Sequence, residues 1–338
     1  MGNGGGHVEP PFPRSPLAAR SVYGPRLGDK TIGGYCFMSN SSIVRNMTRL
    51  LSTSGMPVAY SRWLWSSLRH GEGPAVLCAN TDIKGWVSFS DYWDFHSGVS
   101  IALRRLIDDS LRRTTSAVPI AMDIGAHLGL FTAELVGRGF SKVHSFEPAA
   151  RTFAKLKANI DSSPNARGAV KLNCVAVGPT NGTVELQLEP DSPATNHVRL
   201  DSTGKTVSGS QQPDTVQLVP MTTLDCYCEE HEIRHIDFLK MDTEGLEPYV
   251  LDGAQKFLRH RRISMIVLEV CPQALQRAGA SVAALHERLL ASGYEPHELE
   301  KDGKVGTALT VAQLETISSS GHLSACGCGA DIVSIPRP

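Results

Sequence analysis

Residues 120–148 admit very few folds. Ile120-Ala121-Met122-Asp123-Ile124 is a short apolar run closed by a glycine turn, Gly125-Ala126-His127-Leu128-Gly129. Leu130, Leu135 and Val136 then recur at helical spacing, and Val143-His144-Ser145-Phe146 forms a second apolar run ending in Glu147-Pro148. That order predicts a buried strand, a tight turn, a crossover helix and a parallel strand that ends in an acid. A βαβ unit of this kind suits a nucleotide-like ligand. Glycine lets the backbone approach closely, the helix start offers N–H donors, and an acid at the next strand's end accepts hydrogen bonds from ribose hydroxyls. With glycines at 125 and 129 the turn lacks the G-x-G-x-x-G spacing of dinucleotide sites, which favours a ligand without a pyrophosphate.

At 338 residues the chain has room for a core domain of roughly 200 residues and an appendage. Its formal net charge of -1 exerts no global pull toward nucleic acid or acidic lipid, and the core carries no basic tract. No apolar run reaches the ~20 residues that span a bilayer; the run 263–270 is short and contains Glu269. A soluble chain with a small neutral substrate is expected, without integral membrane association, its oligomeric state left open. Eight cysteines scattered through a long chain without a secretory start favour reduced thiols and a cytoplasmic location. Cys226/Cys228 with His231, and Cys326/Cys328, invite a zinc reading. Their Cys-x-Cys spacing departs from the usual ligand pattern, so ordinary thiols are expected and no metal is assigned.

Three segments follow from composition. Residues 1–55 form an arm rich in Gly, Pro and Ser at its start, predicted to be disordered. An apolar face at Ile43, Met47, Leu50 and Leu51, interleaved with Arg45 and Arg49, leaves an organelle transit peptide as the alternative. Residues 56–117 read as a helical cap containing Trp63, Trp65, Trp86 and Trp93, with Asp91 and His96 as weak site candidates and an amphipathic helix over 99–111. Residues 118–338 are the core domain. After the opening unit it alternates helices and strands: a helix over 151–160, strands at 170–177, 182–188 and 216–219, and a helix opened by Thr222-Thr223-Leu224-Asp225. Strands at 236–242 and 263–270, a helix over 282–291, and closing strands at 294–299 and 331–335 complete it.

Three separated signatures resemble the FkbM family of S-adenosylmethionine-dependent methyltransferases. They are Asp123-Ile124-Gly125-Ala126-His127-Leu128-Gly129, then Phe146-Glu147-Pro148, then Thr223-Leu224-Asp225 followed by Leu239-Lys240-Met241-Asp242-Thr243-Glu244-Gly245-Leu246-Glu247. The resemblance implies an α/β, Rossmann-like class I methyltransferase fold. Its sheet is seven-stranded and mostly parallel with an antiparallel last strand, and the helical cap precedes it. It implies methyl transfer, usually to a hydroxyl oxygen, with S-adenosylmethionine as cofactor. Gly125, Ala126, His127 and Gly129 then lie against the amino acid portion of the cofactor. Asp123 holds its ammonium, Glu147 its ribose hydroxyls, and Val175 and Ala176 lie beside adenine. His127 stands where the family usually has asparagine.

Period-two alternation puts Phe238, Lys240 and Asp242 on one strand face, so a charged lysine occupies a central strand and needs a counterion from Glu269, Asp242 or Glu244. Asp242 or Glu244 is the candidate base or substrate anchor, with Lys240 and Glu269 beside them. The competing reading makes Lys240, Asp242 and Glu269 a structural ion network, with Thr243 or Glu244 capping the next helix; a divalent ion on Asp242 and Glu244 is a third. Asn196 and His197, in a polar loop over 189–213, are further substrate-facing candidates. The expected activity is O-methylation of a small-molecule hydroxyl, on a sugar or secondary metabolite. The alternatives are a nicotinamide oxidoreductase and a non-catalytic binding protein on the same fold.

Overall fold

The computed structural model describes residues 98–189, 195–200, 215–320 and 329–337. The N-terminal arm, the four tryptophans, Asp91, His96 and the Cys326/Cys328 pair lie outside the described residues. Helix α1 (Gly98–Arg113) leads into β1 (Ile120–Ile124), α2 (Leu130–Arg138), β2 (Lys142–Phe146), α3 (Ala150–Asp161), α4 (Pro164–Ala169) and β3 (Val170–Asn173). Then come β4 (Ala176–Val177), β5 (Gly182–Gln187), β6 (His197–Val198), β7 (Val216–Thr222) and α5 (Leu224–Glu230). Next are β8 (Phe238–Met241), α6 (Glu247–Asp252), α7 (Gln255–Arg259), β9 (Ile266–Val270), α8 (Pro272–Arg277) and α9 (Val282–Ala291). The described chain closes with β10 (Tyr294–Leu299), β11 (Val305–Ala308), α10 (Val311–Ser319) and β12 (Ala330–Pro336).

The main sheet runs β11-β10-β12-β9-β8-β1-β2-β3. Strands β3, β2, β1, β8 and β9 are parallel, and β12 inserts antiparallel between β9 and β10. This is the expected seven-stranded arrangement with its antiparallel last strand, of Rossmann-like methyltransferase type. An eighth strand, β11, is added at the edge as a hairpin with β10. Its four residues, Val-Gly-Thr-Ala, are too short and glycine-broken to announce a strand by pattern.

The segment 170–177 is not one strand. Asn173 Nδ2 donates to the Ser145 and Lys171 carbonyls while its Oδ1 accepts from Tyr227 Oη, so the edge strand stops there. Two residues on, Ala176–Val177 join a separate four-stranded sheet, β4-β7-β5-β6. The segment 164–169 forms a short helix instead of a plain connection. Ser163 accepts from the Ala166 N–H, and Pro164 occupies the first turn, where its missing donor costs nothing.

Helix α1 explains how one face of the main sheet is closed. Leu103, Leu106 and Ile107, at helical spacing, are buried with Ala102 against Ala121, Phe140, Phe238, Val267 and Val333. Leu106 and Ile107 are wholly buried, each worth roughly 1.5–3 kcal/mol. Buried Asp237 pins the junction by accepting from Thr114 Oγ1 and from the Ile120 N–H. Among the described residues no helix is long and apolar enough to cross a membrane.

Candidate active site

The carboxyl ends of β1, β2 and β8 bring two of the sequence signatures into contact. The Gly125 and Ala126 N–H groups both donate to the Phe146 carbonyl, at 3.0 and 2.9 Å, so β2 anchors the turn. Gly125 has φ 83°, and a Cβ placed on it would fall 1.8 Å from the Asp242 carbonyl oxygen. The glycine is therefore required where the turn presses on the end of β8. His127 has φ 48°, in the left-handed region that asparagine and histidine enter more readily than most residues. The backbone thus accounts for a histidine where asparagine is usual.

Asp123 is wholly buried. Its Oδ2 accepts from Thr132 Oγ1 at 2.6 Å, and that hydroxyl also lies 2.8 Å from Ser145 Oγ. Its Oδ1 has no hydrogen-bond partner among the described residues and lies 3.8 Å from Lys240 Nζ. Burial pushes its carboxyl up, opposed by the Lys240 charge. An unsatisfied buried carboxylate oxygen costs on the order of 1–3 kcal/mol, a deficit that a cationic ligand group removes. Glu147, at the end of β2, is buried; it accepts from the His127 N–H at 3.1 Å on Oε2 and from the Ala149 N–H at 2.9 Å on Oε1. Burial pushes it up to about 7 against those two bonds. Each oxygen retains a lone pair for a further donor.

Lys240 finds its counterions in Asp242, at 3.1 Å from Nζ to Oδ2, and in Asp123 across the β1–β8 register. Burial alone would lower its pKa, but Asp242 and Asp123 reverse the effect and hold the ammonium charged. Nζ also sits 5.3 Å from the Phe131 ring centroid. Of the three expected counterions, Asp242 makes the close ion pair. Glu244 turns to Arg277 instead, and Glu269 stands opposite Asp331 in the β9–β12 register. Asp331 therefore joins the acids at this end of the sheet, and burial and Asp242 push its carboxyl up while Lys240 opposes.

The loop after β8 is closed by Glu247, not by Thr243 or Glu244. Glu247 Oε1 accepts from both the Thr243 N–H and Oγ1, at 2.8 and 2.9 Å, and burial pushes its carboxyl up. That leaves Glu244, with φ 57°, to project its side chain toward α8, where Arg277 Nη2 donates to Oε2 at 3.1 Å. Burial and then Asp242 push Glu244 up to about 7, with Arg277 opposing.

The remaining candidates divide between support and periphery. Thr223 caps α5 by accepting from the Cys226 N–H, while Asp225 accepts from the Lys256 and Phe257 N–H groups at the start of α7. The Thr-Leu-Asp signature thus joins two helices. Val175 and Ala176 lie beyond the end of β3, Val175 partly buried against the core and Ala176 buried in β4. Asn196 Oδ1 accepts from the Glu189 N–H, a loop-closing role, whereas His197 in β6 lies within electrostatic reach of Arg277. Cys226 Sγ contacts Glu230, Cys228 is buried, and His231 stacks on Tyr227 with ring centroids 4.1 Å apart. Among the described residues no three His, Cys, Asp or Glu side chains are grouped to hold a metal ion.

Comparison with known proteins follows the same lines. No curated protein matches the chain. Among solved structures, an O-methyltransferase from Bacillus cereus in complex with SAH is 12% identical, covers 88% of this chain and 97% of its own, and superposes with a TM-score of 0.38. A precorrin-6y C5,15-methyltransferase from Geobacter metallireducens is 12% identical, covers 70% of this chain and 86% of its own, and gives a TM-score of 0.33. These likenesses are distant. The decisive match is to the Methyltransferase FkbM domain, which spans residues 123–296 and so more than half of the chain. From Asp123 through the acidic loop after β8 to β10, the chain belongs to the FkbM methyltransferase family and is an S-adenosylmethionine-dependent methyltransferase.

Proposed function

We propose that the chain methylates a hydroxyl oxygen of a small molecule, such as a sugar or secondary metabolite, with Glu244 taking the proton and Asp242 orienting the acceptor. The observation that supports this reading is the close approach of the Gly125 turn to the Asp242 carbonyl, at the start of the acidic loop. When bound, S-adenosylmethionine supplies an electrophilic methyl on a sulfonium sulfur, and the acceptor oxygen forms the C–O bond as the C–S bond breaks. The protein must then align the oxygen and remove its proton.

On the donor side, the unsatisfied Oδ1 of Asp123 supports a bond to the ammonium, directly or through water. Glu147, its carboxylate already oriented by two backbone N–H groups, is assigned the ribose hydroxyls. The backbone of Gly125, Ala126, His127 and Gly129 lies along the amino acid portion, and Val175 and Ala176 are assigned the adenine side. On the acceptor side, Asp242 is held 3.1 Å from Lys240 Nζ, which suits an anchor. Glu244 titrates near neutrality and suits a general base. A near-neutral chain with eight unclustered cysteines supports a neutral, cytoplasmic acceptor.

Calorimetry with S-adenosylhomocysteine tests the donor half: Glu147→Ala should weaken binding at least tenfold, and an unchanged affinity removes Glu147 from the site. Labelled-methyl transfer to a pooled small-molecule extract, with mass identification of the product, tests the acceptor half. Label recovered on nitrogen or carbon instead of oxygen overturns it.

A further inference from the structure

We propose that Arg277 is the positioning residue for Glu244, holding its carboxylate oriented and ionised for the acceptor's proton. This rests on the reading of Glu244 as the base. Arg277 ends α8, 33 residues from Glu244. Two contacts join that helix to the loop. Gly245 has φ 103°, and a Cβ on it would lie 2.2 Å from the Ala274 carbonyl oxygen, so the α8 backbone bears directly on the residue after Glu244. One turn further along α8, the guanidinium reaches back to Glu244 Oε2 at 3.1 Å. The loop is thus gripped at its backbone and at its side chain by a single element.

The charges around Glu244 explain why such a grip is needed. Asp242, from the end of β8, and Glu247, from α6, are both acids, and Arg277 is the cation set against them. His197 of β6 also lies within electrostatic reach of Arg277, and its pKa is lowered by burial first and by Arg277 among lesser causes, so it brings no second positive charge at neutral pH. Without Arg277, burial and two like charges favour the protonated acid, which takes up no proton. Glu244 also holds a left-handed backbone that most residues avoid, and its side chain leaves that backbone to meet Arg277 at 3.1 Å.

The test uses the full chain with Arg277→Gln, Arg277→Lys and Glu244→Gln. Two readouts are followed from pH 5.5 to 9: labelled-methyl transfer from S-adenosylmethionine to a pooled small-molecule extract, and the titration of the 13C-labelled Glu244 carboxyl, identified by its loss in Glu244→Gln. In Arg277→Gln both midpoints should move up by about one pH unit, a tenfold loss of transfer on the acid side. Arg277→Lys should restore at least half of that shift, and S-adenosylhomocysteine affinity should stay within about twofold. Loss of transfer in Glu244→Gln with an unmoved midpoint in Arg277→Gln overturns the positioning role alone. Wild-type transfer in Glu244→Gln overturns the base reading beneath it. If Arg277→Gln does not fold, Arg277→Lys decides the matter through the carboxyl titration: a small upward shift is expected, and a downward one refutes the proposal.

Discussion

Replacing Gly125 by alanine tests the contact on which the site is built. The added Cβ would lie 1.8 Å from the Asp242 carbonyl oxygen, well inside van der Waals contact, and the residue would also have to hold φ 83°. The backbone strain costs an L-residue about 1–2 kcal/mol. Relieving the overlap requires backbone movement, for which over-packing typically costs a further 1–3 kcal/mol. Neither atom in the clash belongs to a flexible side chain, so the sum, about 2–5 kcal/mol, cannot be relaxed by a rotamer change. Against a typical domain stability of about 5–15 kcal/mol this is a severe but survivable loss. Urea unfolding should show a lower midpoint with an unchanged m-value. Calorimetry with S-adenosylhomocysteine should show at least tenfold weaker binding, because the turn and the end of β8 move together. A variant within about 0.5 kcal/mol of the parent, with unchanged affinity, would mean that the two signatures do not touch.

Lys240→Met should destabilise by about 3–5 kcal/mol, because it leaves wholly buried Asp123 without its cation and Asp242 without its 3.1 Å partner; adding Asp123→Asn should recover part of the loss in denaturant unfolding. Glu147 titrates at about 7 in the fold against an ordinary carboxyl value of 4.5, so its contribution to stability is fully present below about pH 4.5 and is lost as pH rises through about 7. The corresponding fall is on the order of 3 kcal/mol, and unfolding measured between pH 4.5 and 8 should show it flattened in Glu147→Gln. Leu106→Ala should cost about 2–5 kcal/mol by opening a cavity between α1 and the sheet, read from the thermal midpoint. Asp225→Ala removes two backbone bonds at the start of α7 and should cost about 1 kcal/mol with unchanged S-adenosylhomocysteine affinity.

What the sequence made legible was periodic or local. The βαβ unit, the alternation of Lys240 and Asp242, and the helix start at Thr223 all depend on neighbours within a few positions, and each stands as expected. The end of β3 at Asn173 was not legible, because the side chain there is bound by Tyr227, 54 residues away. Arg277 carried no signal either, since a lone arginine at the end of a six-residue helix resembles a solvated charge until α8 is laid against the loop. Asp331 stood in a strand recognisable by its apolar residues, yet only an antiparallel register opposite Glu269 brings it within reach of Asp242 and Lys240. His127 was an oddity by residue type and becomes ordinary once its backbone is seen to be left-handed.

Register also decides how one lysine can serve two acids. Residues two apart on extended chain share a face, so Lys240 and Asp242, one residue past the end of β8, are neighbours by backbone geometry. Asp123 joins them only because β1 and β8 pair with Asp123 opposite Lys240. A slip of one residue would turn Asp123 toward the opposite face, where Met122, Leu239 and Met241 are wholly buried in the larger apolar core. There a carboxylate would have no cation, at a desolvation cost of several kcal/mol. The correct register instead seats Asp123 beside Lys240 and Thr132, with one oxygen still open to a ligand. The ion cluster is therefore a device for fixing strand register as well as a feature of the site. The double variant Asp123→Asn, Lys240→Met tests both functions: protection of the β1–β8 amides from hydrogen exchange and S-adenosylhomocysteine binding should both fall. Full protection with weakened binding would leave the cluster a feature of the site alone.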